Sequence, residues 1–223
     1  IQYSNQSNWY DWGCAHCSEG NYAIIMNGPR GWSGPEYAQG WSFNVPTAEF
    51  YNSFEEGDTR RDATVLDIEA FAAATGANYT EGYDHTGYFN NKYIPRAGES
   101  GGQTELNYLT NFRIIRYSDV LLMAAEAYNR GGIDDGLAQE FLNQVRRRAF
   151  GDDDHDISAS GTALTDAIWE ERKFELSLEG HRFFDLVRTG RASSTISGFV
   201  EGKHEVFPIP QQEVDISGLT QNA

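Results

Sequence analysis

The stretch Asn111-Phe112-Arg113-Ile114-Ile115-Arg116-Tyr117-Ser118-Asp119-Val120-Leu121-Leu122-Met123-Ala124-Ala125-Glu126-Ala127-Tyr128 decides the fold class. Ile114, Tyr117, Leu121, Ala125 and Tyr128 recur with the period of an α-helix. Leu122 and Met123 widen the apolar surface, so the spacing predicts a helix buried on most sides. Gly131-Gly132 stops it. Asp134 or Asp135 then caps a second helix, with Leu137, Phe141, Val145 and Ala149 on one face. Two such helices joined by a short turn make an antiparallel αα-hairpin. A third helix starts near Thr162 and runs through Leu164, Ala167, Ile168 and Phe174 to Leu178. Gly180 breaks or bends it, and His181 to Arg188 continues helically as far as Gly190. Val206-Phe207-Pro208-Ile209-Pro210 reads as extended chain, because proline restricts itself and the residue before it.

The sequence upstream has another texture. Four of the five Trp residues, Trp9, Trp12, Trp32 and Trp41, fall within the first 41 positions. Gly, Asn and Ser abound there, and Asn27-Gly28-Pro29, Ser33-Gly34-Pro35 and Glu56-Gly57-Asp58 mark turns. A strand is expected over 22–26. A short helix is expected from Thr47, as N-cap, to Phe54, with Phe50 and Phe54 on one face, and another over 69–75. The fold class is therefore mainly α, with a loop-rich region and a few short strands. Residues 1–110 form the aromatic, loop-rich region and 111–223 the helical part of one continuous domain.

Composition excludes several functions. The 223 residues carry a net charge of −16, which a nucleic-acid backbone or an anionic lipid surface would repel. No apolar run reaches the length of a membrane-spanning helix. The chain begins Ile1-Gln2-Tyr3-Ser4 and reads as an excised piece or a processed form.

Few constellations carry chemistry. Cys14-Ala15-His16-Cys17 has C-x-x-C spacing, but a structural zinc needs four ligands and a redox motif needs a strand before it and a helix after it. A loop pair, reduced or bridged, fits better. Asp152, Asp154 and Asp156 begin like a calcium loop, yet Ile157 stands where glycine is needed and Ala163 where glutamate is needed. A solvated acidic loop is the simpler reading. Glu171, Glu175 and Glu179 share a helix face beside Arg172, Lys173, Arg182 and Arg188, and Glu179 and Arg182 are neighbours. Flanking cations lower carboxylate pKa values, the wrong direction for the general acid of a glycosidase. Arg146-Arg147-Arg148 ends the second helix, where cations suit the dipole, with one buried pairing expected. No catalytic residue, metal or cofactor is expected. Trp9, Tyr10, Trp12 and Trp32 are the candidate ligand-binding residues, because loops can present aromatic rings to the apolar face of a sugar.

The helical part resembles the SusD/RagB family. The resemblance is carried by Ile115 to Ala127, by Leu142-Asn143-Gln144-Val145-Arg146-Arg147-Arg148-Ala149, and by Ala167-Ile168-Trp169-Glu170-Glu171-Arg172-Lys173-Phe174-Glu175-Leu176. Glu179-Gly180-His181-Arg182-Phe183-Phe184-Asp185-Leu186-Val187-Arg188 follows in the family order. Pro46-Thr47, Phe54-Glu55-Glu56-Gly57-Asp58-Thr59-Arg60-Arg61, Phe207-Pro208-Ile209-Pro210-Gln211-Gln212-Glu213 and Leu219-Thr220-Gln221-Asn222 extend it over 46–222. The resemblance implies tetratricopeptide-type helix pairs and a non-enzymatic, surface-exposed outer-membrane lipoprotein. Such a protein binds glycans or other nutrients and caps a SusC-like TonB-dependent transporter. It also implies that this chain is the C-terminal part, with the lipid anchor lying outside it. Two other readings stay open at this point: a glycoside hydrolase, for which Asp11 and Glu19 are the only candidate carboxylates near the Trp cluster, and a scaffold with all its Trp rings buried.

Overall fold

The computed structural model describes residues 3, 20–21, 23–99 and 108–222. Cys14, Cys17, Asp11 and Glu19 lie outside the described residues. The first element is one helical turn, α1 (Ala23–Met26), where a strand was expected. The Asn21 side-chain oxygen accepts from the Ala23 N–H at 3.1 Å, and Asn27 Nδ2 donates to the Ala23 carbonyl at 2.9 Å. Side-chain amides thus satisfy both ends of the turn. Ile24 and Ile25 are fully buried against Tyr93 and Tyr108, and that burial outweighs their β propensity.

After β1 (Arg30–Ser33) comes α2 (Ala48–Asn52), which starts as its sequence predicts: Thr47 Oγ1 accepts from the Phe50 N–H at 3.1 Å. Phe50 and Phe54 meet edge to face at 5.1 Å, and Phe54 lies 4.8 Å from Phe174. The chain continues through α3 (Arg60–Thr64), β2 (Val65–Asp67), α4 (Ile68–Thr75), β3 (Asn78–Thr80) and β4 (Tyr88–Asn90). Asp67 caps α4 and Gly76 ends it in the left-handed conformation. Strand β1 pairs antiparallel with β3, irregularly between Arg30↔Thr80 and Ser33↔Asn78, and β2 pairs with β4 in the register Val65↔Asn90. Tyr37, Leu66, Ile68, Phe89 and Ile94 form a core beneath these ribbons.

The helical layer consists of α5 (Tyr117–Arg130), α6 (Asp135–Phe150) and α7 (Gly161–Glu175). Asp134 caps α6 by accepting from the Leu137 N–H at 3.0 Å. Leu121, Leu122 and Ala125 pack against Ala138, Leu142 and Val145, and against Leu164 and Ile168. Two details depart from the periodic reading. Ile114 lies before α5, and Tyr117, Val120 and Met123 face outward, while Ser118, Asp119, Glu126 and Asn129 turn inward. On α6 the buried face is Ala138, Leu142, Val145 and Ala149, with Leu137 exposed. In both helices polar partners, not apolar count alone, select the inner face.

Contacts divide the chain into one unit over 1–179 and another over 180–223. At this point Leu178 and Gly180 both adopt positive φ, 63° and 88°. The second unit holds α8 (Arg182–Arg188), α9 (Ala192–Thr195) and α10 (Gln211–Ser217), with Leu186 and Ala192 buried. Its two proline-and-amide motifs meet: Gln221 Oε1 accepts from the Ile209 N–H at 2.8 Å, and Asn222 Nδ2 donates to the Phe207 carbonyl at 2.7 Å. No helix among the described residues is long and apolar enough to cross a membrane.

Candidate functional site

Of the four candidate ligand residues, Trp9, Tyr10 and Trp12 lie outside the described residues. Trp32 sits on β1, half-buried, with its ring 5.9 Å from both Tyr37 and Phe71. Its indole N–H is buried and has no hydrogen-bond partner among the described residues. Part of this ring therefore belongs to the local core and part of it faces out.

The charged residues of the sequence motifs converge elsewhere. Arg60, at the start of α3, forms ion pairs with Asp58 and with Glu171 of α7. Arg146 binds Glu171 at 2.9 Å and Glu55 at 3.0 Å. Arg148 binds Glu175 at 2.6 Å, while Arg147 pairs with Asp156. Of this run, Arg146 is the arginine buried together with its partner, Glu171, in line with the one buried pairing expected, while Arg147 and Arg148 pair from more exposed positions. Arg116 bridges Glu175 at 2.7 Å and Glu179 at 2.7 Å, and Lys92 Nζ adds a 2.7 Å bond to Glu179. Lys92 also donates to the carbonyls of Glu175 and Ser177 as the chain leaves α7. Arg172 reaches Asp119 of α5 at 2.8 Å.

This network borders a cleft of about 420 Å³ lined by Arg60, Lys92, Arg113, Arg116, Arg148, Glu175 and Glu179. Burial alone would raise the Glu175 pKa, but the Arg116 hydrogen bond and the Arg148 charge win and hold it at about 2. Glu179 is likewise lowered, burial being overcome by Arg116 and Lys92. Burial pushes the Lys92 ammonium down, against the pull of Glu179. Both carboxylates are ionised at neutral pH and committed to cations, so this pair supplies no general acid. The cleft is a product of the ion network that ties the loop-rich region to the helices. In the acidic loop, Asp152 accepts from His155 at 3.1 Å and Asp156 is taken by Arg147. No group of His, Cys, Asp or Glu among the described residues is arranged to hold a metal.

Sequence reasoning placed Glu171, Glu175 and Glu179 in ion pairs but missed Arg60, Lys92 and Arg116 as partners. Their separations in sequence from the glutamates reach 115 positions, beyond any periodic signal. The available signal was compositional: cations and carboxylates within otherwise apolar helix patterns must find partners when buried.

Three comparisons bear on this arrangement. The SusD family model matches residues 4–223, so the chain belongs to the SusD family. A solved "Laminarin binding SusD-like protein" superposes with a TM-score of 0.85 at 40% identity, over 100% of this chain and 48% of its own. Surface glycan-binding protein A from Bacteroides thetaiotaomicron, in complex with laminarihexaose, gives a TM-score of 0.86 at 32% identity over 99% of this chain and 50% of its own. SusD-like protein P2 from Formosa agariphila is 32% identical over 183 residues, 75% of this chain and 35% of the relative. The chain thus spans about half the length of the structural relatives and about a third of the curated one. These structural neighbours are named as glycan-binding proteins, not as enzymes.

Proposed function

We propose that this chain binds a glycan at the cell surface and serves in its uptake through a SusC-like TonB-dependent transporter of the outer membrane. The observation that carries this reading is the whole-chain likeness to a laminarin-binding protein and to a protein solved with laminarihexaose. In this reading the protein captures its ligand without turning it over. A lipid anchor outside this chain holds it to the membrane, and neither a nucleic acid nor a cofactor takes part. Trp9, Tyr10, Trp12 and Trp32 are the proposed contact residues. Stacking of pyranose rings on indoles contributes modest energy per ring, and a few hydroxyl hydrogen bonds set specificity. Weak binding at each contact suits a protein that must hand its ligand on.

The test is intrinsic Trp fluorescence titrated with laminarin, laminarihexaose and a panel of other polysaccharides. A saturable shift with one glycan class, reduced by Trp12→Ala or by Trp32→Phe, supports the reading. Absence of a shift with every glycan, together with no binding by calorimetry, overturns it. Release of new reducing ends from a bound polysaccharide would instead make the protein a hydrolase.

A further inference from the structure

The cleft beside the ion network holds more positive charge than its carboxylates neutralise. Five cationic side chains line it, Arg60, Lys92, Arg113, Arg116 and Arg148, against two carboxylates, Glu175 and Glu179. Glu175 by itself accepts from three arginines: Arg116 at 2.7 Å, Arg148 at 2.6 Å and Arg60 at 3.3 Å. Glu179 serves both Lys92 and Arg116. The carboxylates behind the lining do not close the balance. Asp58 and Glu171 pair with Arg60, but Glu171 is shared with Arg146, whose remaining ion-pair partner is Glu55. With these included, six cations stand against five carboxylates. Grouped cations without as many anions repel one another, and here they do so in a chain of net charge −16.

The excess has a definite place. Arg60 and Arg116 each donate from Nε, Nη1 and Nη2, so their guanidiniums are fully engaged. Arg113 is exposed and has no carboxylate partner among the described residues; its guanidinium lies 5.7 Å from the Tyr93 ring centroid. Arg148, with its side chain 56% exposed, reaches Glu175 through Nη2, which leaves Nε and Nη1 for another acceptor.

We propose that this cleft binds a single oxyanion group, a carboxylate, sulfate or phosphate, on the free guanidinium edges of Arg113 and Arg148. The planar donor fork of arginine matches the oxygens of such a group. Arg60 and Arg116, already locked by their partners, add positive field without an ordering cost on binding. A volume of about 420 Å³ is that of a small-ligand site. The net charge of the chain does not oppose this, because charges separated by more than about 8 Å are largely screened at physiological ionic strength. A free inorganic anion and the acidic group of a sugar offer the same chemistry. Trp32 does not line the cleft, so this site is separate from that proposed contact.

The experiment titrates the 223-residue chain calorimetrically with inorganic phosphate and, separately, with glucuronate, at ionic strength held constant with sodium chloride. Saturable binding is expected, weakened about tenfold or more in Arg113→Gln/Arg148→Gln, since hydrogen bonds to a charged group are worth that order. Binding of glucuronate, lost in the same variant, identifies an acidic sugar as the source; binding of phosphate alone identifies a free anion. The single variant Arg113→Gln leaves every carboxylate in the network with its partners, so its loss of affinity cannot come from a loosened network. A rise in melting temperature with the bound probe, absent in the double variant, accompanies specific binding to the folded chain. No saturable binding of either probe overturns the site. Wild-type affinity in the double variant overturns it as well, because the anion then binds elsewhere.

Discussion

Arg116 is the residue on which two buried carboxylates depend. It binds Glu175 and Glu179 directly, and their side chains are only 2% and 3% exposed. Replacing it with an apolar residue of similar length leaves both glutamates undercompensated rather than removing a pair cleanly. Breaking one partner of a buried pair costs roughly 3–5 kcal/mol. Arg116→Met is therefore expected to lower the free energy of unfolding in urea by about 3 kcal/mol. A loss within a few tenths of a kcal/mol would mean that Lys92 and Arg148 suffice for both carboxylates. Trp32 calls for a milder substitution. It packs on Tyr37 and Phe71, so alanine there would disturb the core as well as any ligand contact. For that reason phenylalanine is the informative replacement in the binding test.

At the scale of elements, the existence of the long helices α5, α6 and α7 was readable, and the inward faces of α5 and α6 were not. Caps were legible because they are local: Thr47 and Asp134 sit one residue before their helices, and both accept the expected backbone N–H. Asp134→Ala is accordingly expected to cost about 1 kcal/mol, seen as a lower thermal midpoint, with Asp134→Asn retaining most of the stability. If Asp134→Asn lost as much as alanine, charge rather than capping geometry would be at work. The inner faces of α5 and α6 were misread by a residue or so because Asp119, Glu126, Asn129, Asn143 and Arg146 point inward. Asp119, Asn129, Asn143 and Arg146 have partners on other segments: Asn143, for example, exchanges hydrogen bonds with the Ile157 backbone at 3.0 and 2.8 Å. Apolar periodicity cannot register such partners. The turn at Ala23–Met26 was misread for a related reason, since the amides that close it follow no periodic rule.

For the whole molecule, the ion network makes stability depend on pH in a definite direction. Glu175 has an ordinary value of 4.5 and is held at about 2 in the folded chain. Between these values the unfolded chain binds more protons than the folded one. The stabilisation is thus fully present above about pH 4.5 and is lost as pH falls toward 2. Glu175 alone accounts for roughly 3 kcal/mol over that window, and Glu179 acts in the same direction. Urea titrations at pH 7, 4.5 and 3 should show the midpoint falling mainly between the last two. Glu175→Gln should flatten that fall. An equal midpoint at pH 7 and pH 3 would show that the network does not control acid stability.

The sequence by itself determined the class of the protein: helices with their caps and stops, the loop-rich aromatic region, and the motifs that mark the SusD family. These are properties of neighbouring residues, so near spacing carries them. Tertiary structure alone decided the rest. It paired Arg60 and Arg146 with Glu171 and drew Lys92 and Arg116 to Glu179. Such contacts join segments far apart in the chain. A buried charge has to find its partner wherever folding brings one within reach.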